Sequence, residues 1–253
     1  VAQTLKRKSR LHLKVDTGMS RLGVTPDHAS QLIQSIRNLN GVDLEGIFTH
    51  FATSDCADRS FAYEQLARFN SVLNAIEKPH WVHSANSAAA LVMPESRFDL
   101  VRCGITIYGM NPSDDVLAPN DFKPALEWKS FISQVKTFPA NTAVSYGGEY
   151  VTKGVEQIAA IPVGYADGFR RFPKNVAQVI IGGKIVPVVG RVCMDQIMAN
   201  VSDLNVKMGD EVVLIGKQGE AMITADDVAN RWGTINYDVT SGIMARVPRI
   251  YFA

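Results

Sequence analysis

Arg102 sits inside an otherwise apolar run, Asp99-Leu100-Val101-Arg102-Cys103-Gly104-Ile105-Thr106-Ile107-Tyr108-Gly109. The β-branched residues around it read as a buried strand. A guanidinium keeps its charge at any working pH, and burying it without partners costs on the order of several kcal/mol. Two arrangements could offset that cost. One is an internal salt bridge beside a packing glycine. The other is a ligand at the strand end, where Gly104, lacking a Cβ, would let a bound group approach the backbone. His50 closes another such run, Val42-Asp43-Leu44-Glu45-Gly46-Ile47-Phe48-Thr49-His50. An imidazole there is either a satisfied structural histidine or a proton carrier.

The elements that would position these groups alternate. Leu11–Val15, Val42–His50 and Trp81–Ser84 read as strands, and the run holding Arg102 reads as a fourth. Helices are expected at Pro26–Asn38, opened by Thr25 or Pro26, at Ala57–Ile76 and at Ala88–Met93. Polar residues collect after the strands: Asp16-Thr17-Gly18, Thr53-Ser54-Asp55 and Asn86-Ser87. That is the pattern of a (β/α) barrel, whose chemistry gathers at the strand C-terminal ends. About four such units are legible where a closed barrel takes about eight, so the remainder is expected upstream. Strand edges left open in this way would be prone to aggregation.

From Pro124 the rhythm changes. Ala125–Lys136 reads as one long strand, followed by strands at Gln157–Val163, Gln196–Val201 and Asp210–Ile215. Val179–Ile181 and Ile185–Val189 flank Gly182-Gly183-Lys184, a hairpin signal. Thr224–Trp232 reads as a short helix capped by Thr224. The fold class is therefore α/β plus all-β, a partial TIM-like (β/α)8 barrel followed by a mainly antiparallel β domain. The domains are expected at 1–121 and 122–253, with a linker near Pro119-Asn120-Asp121.

The 253 residues are 46% hydrophobic and carry 26 basic against 25 acidic side chains. That is enough apolar material for one large or two moderate cores, without the basic footprint of a nucleic-acid binder. No apolar run reaches the ~20 residues of a membrane helix, and the first residues lack a signal peptide's apolar centre. Cys56, Cys103 and Cys193 are an odd, scattered set. They argue for a reducing cytoplasm and against a disulfide framework or a zinc site. Val1 is expected to be an interior residue of a longer protein.

Eight motifs run through the chain in one order. They are Leu13-Lys14-Val15-Asp16-Thr17-Gly18-Met19 with Arg21-Leu22-Gly23, Thr49-His50-Phe51-Ala52-Thr53, and His83-Ser84-Ala85-Asn86-Ser87. Then come Val101-Arg102-Cys103-Gly104-Ile105, Val144-Ser145-Tyr146-Gly147, and Gly164-Tyr165-Ala166-Asp167-Gly168. Gly190-Arg191-Val192-Cys193-Met194-Asp195 and Arg246-Val247-Pro248-Arg249 complete the set. Together they resemble bacterial alanine racemase, a pyridoxal 5'-phosphate enzyme of fold-type III, over the C-terminal two-thirds of that family's length. The resemblance implies a barrel plus β domain, working as a cytoplasmic homodimer with shared active sites. It also implies interconversion of L- and D-alanine by two-base proton transfer at Cα, supplying D-alanine for peptidoglycan.

The resemblance also implies roles for individual residues. Arg102 would face the cofactor's pyridine nitrogen. It can donate a hydrogen bond there but does not readily hand over its proton. His50 would bridge Arg102 to a catalytic tyrosine. Gly104, Ile105 and Ser87 would hold the phosphate, with Asn86 beside them. Tyr146 would be the tyrosine base, delivered from the partner subunit, although Val144-Ser145-Tyr146-Gly147-Gly148 also reads as a turn tyrosine packed on glycine. A phenol in water titrates near 10, so such a base needs positive charge nearby. Arg21 and the Met194 backbone would bind the substrate carboxylate. Lys14 matches a lysine often carbamylated in the family, which would give Arg21 a negative partner. Asp55, Tyr165, Arg171, Arg191 and Ile243 match the substrate access corridor, or else form an ordinary polar rim.

Two departures carry expectations of their own. The family's Schiff-base lysine, in a segment like Lys-Ala-Asn-Ala-Tyr-Gly-His-Gly, has no counterpart in this sequence. The chain alone is therefore expected to be inactive, and the complete protein active. Ala245 stands where the family usually has tyrosine, which suggests a looser pocket admitting serine or other small amino acids. The alternative readings are a serine or broad-specificity racemase and, from another class, a non-catalytic binding module.

Overall fold

The computed structural model describes residues 4, 5, 7–171 and 176–252, and divides into two compact units, Val1–Lys123 and Pro124–Ala253. Val1 itself lies outside the described residues. The first unit opens with β1 (Ser9–Lys14), α1 (Pro26–Arg37), β2 (Val42–Phe48), α2 (Ser60–Asn74), β3 (Trp81–His83) and α3 (Ser87–Val92). The three strands form a parallel sheet in the order β1-β2-β3. Parallel neighbours need a crossover between them, which α1 and α2 supply. Val15, Ile33, Ile47, Phe69, Leu73 and Val82 form the core where those helices meet the sheet.

The register between β1 and β2 slips once. Leu11 pairs with Leu44 and His12 with Gly46, so Glu45 is the extra residue of a bulge.

The run holding Arg102 is not the strand the sequence suggests. Asp99 lies in a turn, residues 100–104 carry no regular secondary structure, and Ile105–Tyr108 is a 3₁₀ turn. Against β3 and its continuation the run makes only isolated backbone bonds, Asp99 N to Val82 O at 3.0 Å and Arg102 N to Ala85 O at 2.9 Å. The Asp99 carboxylate accepts from Val82 N at 2.7 Å, where a strand would have used a carbonyl. With a side chain in the place of a ladder bond, no regular pairing propagates.

The second unit begins with β4 (Trp128–Phe131), β5 (Gln134–Phe138), β6 (Ala143–Val144) and β7 (Tyr150–Val151). It continues with β8 (Glu156–Ile161), β9 (Gln178–Ile181), β10 (Lys184–Val189), β11 (Ile197–Asn200), β12 (Glu211–Gln218) and β13 (Ala221–Ile223). Helices α4 (Ala225–Trp232) and α5 (Asn236–Ser241) follow. Seven strands run β13-β12-β9-β10-β11-β8-β5, with β4 also on β12, all antiparallel, while β6 and β7 pair separately.

The long strand expected at Ala125–Lys136 is two strands. Ile132 is fully buried at the break and exchanges backbone bonds with Gly209 and Asp210, while Ser133 N turns to Ala160 O. The chain thereby switches partner from β12 to β8, which a one-dimensional pattern does not show.

Candidate active site

Arg102 is held entirely by neutral acceptors. Nη2 donates to Thr49 O at 2.8 Å, Ser84 O at 3.1 Å and His50 Nδ1 at 3.2 Å, and Nη1 donates to His83 Nδ1 at 2.7 Å. The Phe48 ring lies 5.2 Å below the guanidinium carbon. Among the described residues no carboxylate pairs with it, and its Nε–H and one Nη1–H have no protein partner. A partly buried cation with open donors is built to receive an acceptor. The salt-bridge alternative for this arginine does not hold in the structure.

Because a guanidinium can only donate, both imidazoles facing it present bare Nδ1 atoms, which fixes their protons on Nε2. Burial and then the Arg102 charge hold His50 below its ordinary range, with Arg21 and Lys14 acting the same way and Asp55 opposing. His50 is thus neutral at pH 7, with its Nε2–H directed away from Arg102. The backbone behind it is pinned by Gln65 of α2, which is fully buried. Gln65 Nε2 donates to His50 O at 3.1 Å, and its Oε1 accepts from Ala52 N at 2.8 Å. Buried Thr17 and Thr49 share a 2.7 Å hydroxyl bond that ties the loops after β1 and β2 together.

Sequence reasoning assigned no role to His83. Its ring is buried and stacks on Phe48 at 4.9 Å, and burial followed by the Arg102 charge lowers its pKa from 6.5 to about 4. The available signal was its place at the end of a strand parallel to that of His50.

Beside Arg102 lies a small cradle. Gly104 N donates to Ser87 Oγ at 2.8 Å, leaving the Ser87 hydroxyl hydrogen free to turn outward. The Ile105 N–H has no protein partner among the described residues. Gly104 has a negative φ of −111°, and a Cβ built on it would meet only Ser87 Oγ, at 3.9 Å. Packing does not demand glycine there, and its missing side chain leaves open space. Asn86 is committed to structure: its Oδ1 caps α3 through Ala89 N at 2.9 Å and accepts from Ser54 Oγ at 3.0 Å.

The loop after β1 carries Lys14 and Arg21. Asp16 organises it by accepting from Gly18 N at 3.0 Å and Ser20 N at 2.9 Å, bonds that hold its carboxyl below the usual range. The Lys14 carbonyl accepts from Val24 N at 3.0 Å, but its side chain makes no ion pair among the described residues. Burial, then the Arg21 charge, lowers its pKa, Asp16 opposing. Arg21 is exposed, and Asp55 is partly buried with its carbonyl accepting from Ser113 Oγ.

In the second unit, Tyr146 projects from a 3₁₀ turn and is 69% exposed. Ser145 Oγ anchors that turn by donating to Arg191 O at 2.7 Å, and Arg191 pairs with Glu149. Gly164 brings the next loop onto residues 193–194: a Cβ there would lie 2.3 Å from Met194 O. Tyr165 N and Ala166 N bond to Cys193 O and Met194 O at 3.1 and 3.0 Å. The Met194 N–H stays without a protein partner among the described residues. On the loop's other side Met244 N bonds to Asp167 O at 3.0 Å, and Arg246 spans Asp167 and Asp195 at 2.7 and 2.6 Å. Tyr165, Met194 and Ile243 are thereby drawn together. Tyr165 and Met194 are exposed, whereas Ile243 is buried and turns no side chain to an open rim. Arg171 is exposed at the edge of the described residues.

Among the described residues no helix is long and apolar enough to cross a membrane, and no cluster of His, Cys, Asp or Glu could hold a metal. Family models described as "Alanine racemase, N-terminal domain" and "Alanine racemase, C-terminal domain" match residues 1–112 and 125–251. The chain is 45% identical to an alanine racemase of Halothermothrix orenii, covering 96% of this chain and 65% of that protein. It is 46% identical to alanine racemase 2 of Caldanaerobacter subterraneus subsp. tengcongensis, covering 99% and 66%. Among solved structures, alanine racemase from E. faecalis superposes with a TM-score of 0.92 at 41% identity, covering 97% of this chain and 66% of that one. The chain thus spans slightly less than two thirds of the length of these relatives.

Proposed function

The chain belongs to the alanine racemase family, and on that premise we propose that the complete protein interconverts L- and D-alanine with pyridoxal 5'-phosphate, supplying D-alanine for peptidoglycan. One observation carries the reading: Arg102 keeps its full charge, has no carboxylate partner among the described residues, and leaves two N–H donors open. A pyridine nitrogen is a neutral acceptor of the kind those donors suit. The open side of Gly104 supports the same group, since a Cβ would fill space the protein leaves unused.

In this reading Arg102 holds the ring nitrogen, and Ser87 Oγ–H and the Ile105 N–H hold the phosphate. Gly104 contributes by leaving room and by orienting Ser87, and Asn86 by capping α3 behind it. The bound cofactor would supply the electron-withdrawing ring that makes the substrate Cα–H acidic. Arg21 and the Met194 N–H bind the substrate carboxylate. Lys14, with its depressed pKa, is a candidate for carbamylation: its neutral amine adds carbon dioxide and releases one proton, giving an anion beside Arg21. Neutral His50 can donate Nε2–H to a phenolate oxygen while Arg102 keeps Nδ1 bare. Tyr146, on an exposed and anchored turn, is the base, working at the site of a partner subunit in a homodimer. Asp55, Tyr165, Arg171 and Arg191 are the approach residues, with Ile243 as buried packing within the second unit.

The test is alanine racemisation by the full-length protein, read by circular dichroism with added cofactor. Steady conversion from both enantiomers supports the proposal. A protein that binds pyridoxal phosphate and leaves both enantiomers unchanged would be the non-catalytic module instead.

A further inference from the structure

His83 is bonded on both sides. Beyond Arg102, its Nε2 lies 2.7 Å from His12 Nδ1. The Arg102 donor fixes the proton of His83 on Nε2, so His12 must accept and carry its own proton on Nε2. That atom lies 3.7 Å from Glu45 Oε2, and Glu45 also accepts from Arg10 at 3.0 Å. The donors therefore all point one way, from Arg102 through His83 and His12 toward a carboxylate. The chain of rings thus connects Arg102 to the Glu45 carboxylate without direct contact.

His12 and His83 sit on strands that do not touch, because β2 runs between β1 and β3. They meet only because β2 carries glycine at the crossing point. A Cβ on Gly46 would stand 2.5 Å from His12 Nδ1 and 2.6 Å from its Cε1. The bulge at Glu45 sets that alignment, since it brings His12 opposite Gly46. Gly46 is not at positive φ, so its own backbone does not require glycine. The missing side chain serves the imidazole that crosses above it.

We propose that His83 and His12, meeting over Gly46, are positioning residues that fix the plane and rotamer of Arg102 without neutralising its charge. The consequence for cofactor binding rests on the reading of Arg102 as the ring-nitrogen partner. The acceptor for Arg102 must itself stay oriented, and His12 orients it by taking the His83 proton. A carboxylate in place of His83 would hold the guanidinium as firmly but would compete with any acceptor for its charge.

The experiment uses the full-length protein in three measurements. Imidazole 15N shifts at pH 7 are expected to show bare Nδ1 and protonated Nε2 on both His83 and His12. A protonated Nδ1 on His83 would overturn the chain of bonds. Arg102 Nη1 and Nη2 are expected as separate, slowly exchanging signals that coalesce in Gly46→Ala and in His12→Phe, which keeps a ring over Gly46 but no acceptor. His12→Asn, whose Oδ1 can accept, should preserve them. Unchanged Arg102 signals in the first two variants would sink the positioning role. Third, affinity for pyridoxal phosphate should fall about 10-fold in Gly46→Ala and His12→Phe and at most about 2-fold in His12→Asn, as for one lost neutral hydrogen bond. Absence of cofactor binding by the unmutated protein would refute the functional reading, while the nitrogen signals would still decide the role of the histidines.

Discussion

Arg102 in the first unit and the paired arginines of the second are placed on opposite principles, although the first unit also has carboxylate-paired arginines at its surface, Arg10, Arg37 and Arg68. In the first, Arg102 is surrounded by carbonyls and bare imidazole nitrogens, so its charge stays available to a ligand. In the second, Arg246 bridges Asp167 and Asp195, Arg191 pairs with Glu149 and Arg170 with Asp238. Those charges are used up in holding loops. Neutral partners leave the Arg102 donors to a neutral acceptor, with which a carboxylate would compete. A bracing arginine needs an anion, because it must stay where it is. The contrast extends to the glycines: Gly104 keeps space empty, whereas Gly164 lets two backbones touch.

The largest effect that could break this contrast should come from Arg102→Leu, which removes the unpaired charge. Steady-state kinetics of the full-length protein should show kcat/KM lower by at least 10²–10³-fold, as for loss of a preorganised donor, and a variant within 10-fold of the parent would refute the assignment. Tyr146→Phe should lower kcat by about 10²–10⁴-fold as for loss of an acid–base group. If sites are shared between subunits, mixing the Arg102 and Tyr146 variants should restore activity, because the hybrid dimer holds one intact site. Failure of the mixture to recover any turnover would argue that each chain works alone.

A smaller effect sharpens the second half of the contrast. Gly164→Ala forces a Cβ to within 2.3 Å of Met194 O and should cost about 1–3 kcal/mol, typical of overpacking, seen as a lower denaturant midpoint. Burial and the Arg102 charge lower the His83 pKa from 6.5 to about 4, so the folded state resists protonation that the unfolded state accepts. The stability contributed is complete above pH 6.5 and is lost progressively as pH falls toward 4. Urea melts across that window should show the decline, and His83→Asn should flatten it. The smallest change is expected for Asp195→Asn on the exposed Arg246 pair, with Tm moving barely beyond error because Asp167 remains and solvent screens the pair. A loss there comparable to that of Gly164→Ala would mean that ion pairs, not backbone contact, set the loop. Substrate breadth is a separate question: comparable kcat/KM for alanine and serine would bear out the looser pocket expected from Ala245, and strict alanine preference would dismiss it.

Much of this was legible in the chain. Gly182-Gly183 between two apolar runs reads as a hairpin, and both residues do take positive φ between β9 and β10. Thr224 caps α4 with Asp227 returning the bond. A lone cation in an apolar run marked Arg102 as a residue needing compensation. Other parts were not legible, for reasons of geometry. Hydrophobic pattern cannot tell a strand from an irregular apolar run that lacks a ladder, so residues 99–109 read as a strand where the structure has a turn, an irregular stretch and a 3₁₀ turn. Nor can it register a change of partner, so the break at Ile132 was missed. His12 and His83 escaped notice because their meeting depends on what Gly46 lacks.

Sequence by itself determined the alternation of elements, the caps and turns, the family and the list of polar groups, because each rests on local residue type or ordered motifs. Tertiary structure alone decided which acceptors surround Arg102, which nitrogen of each histidine carries the proton, and which glycine guards space and which permits contact. Those properties belong to pairs of residues far apart in the chain, and no single position encodes the partner that folding brings to it.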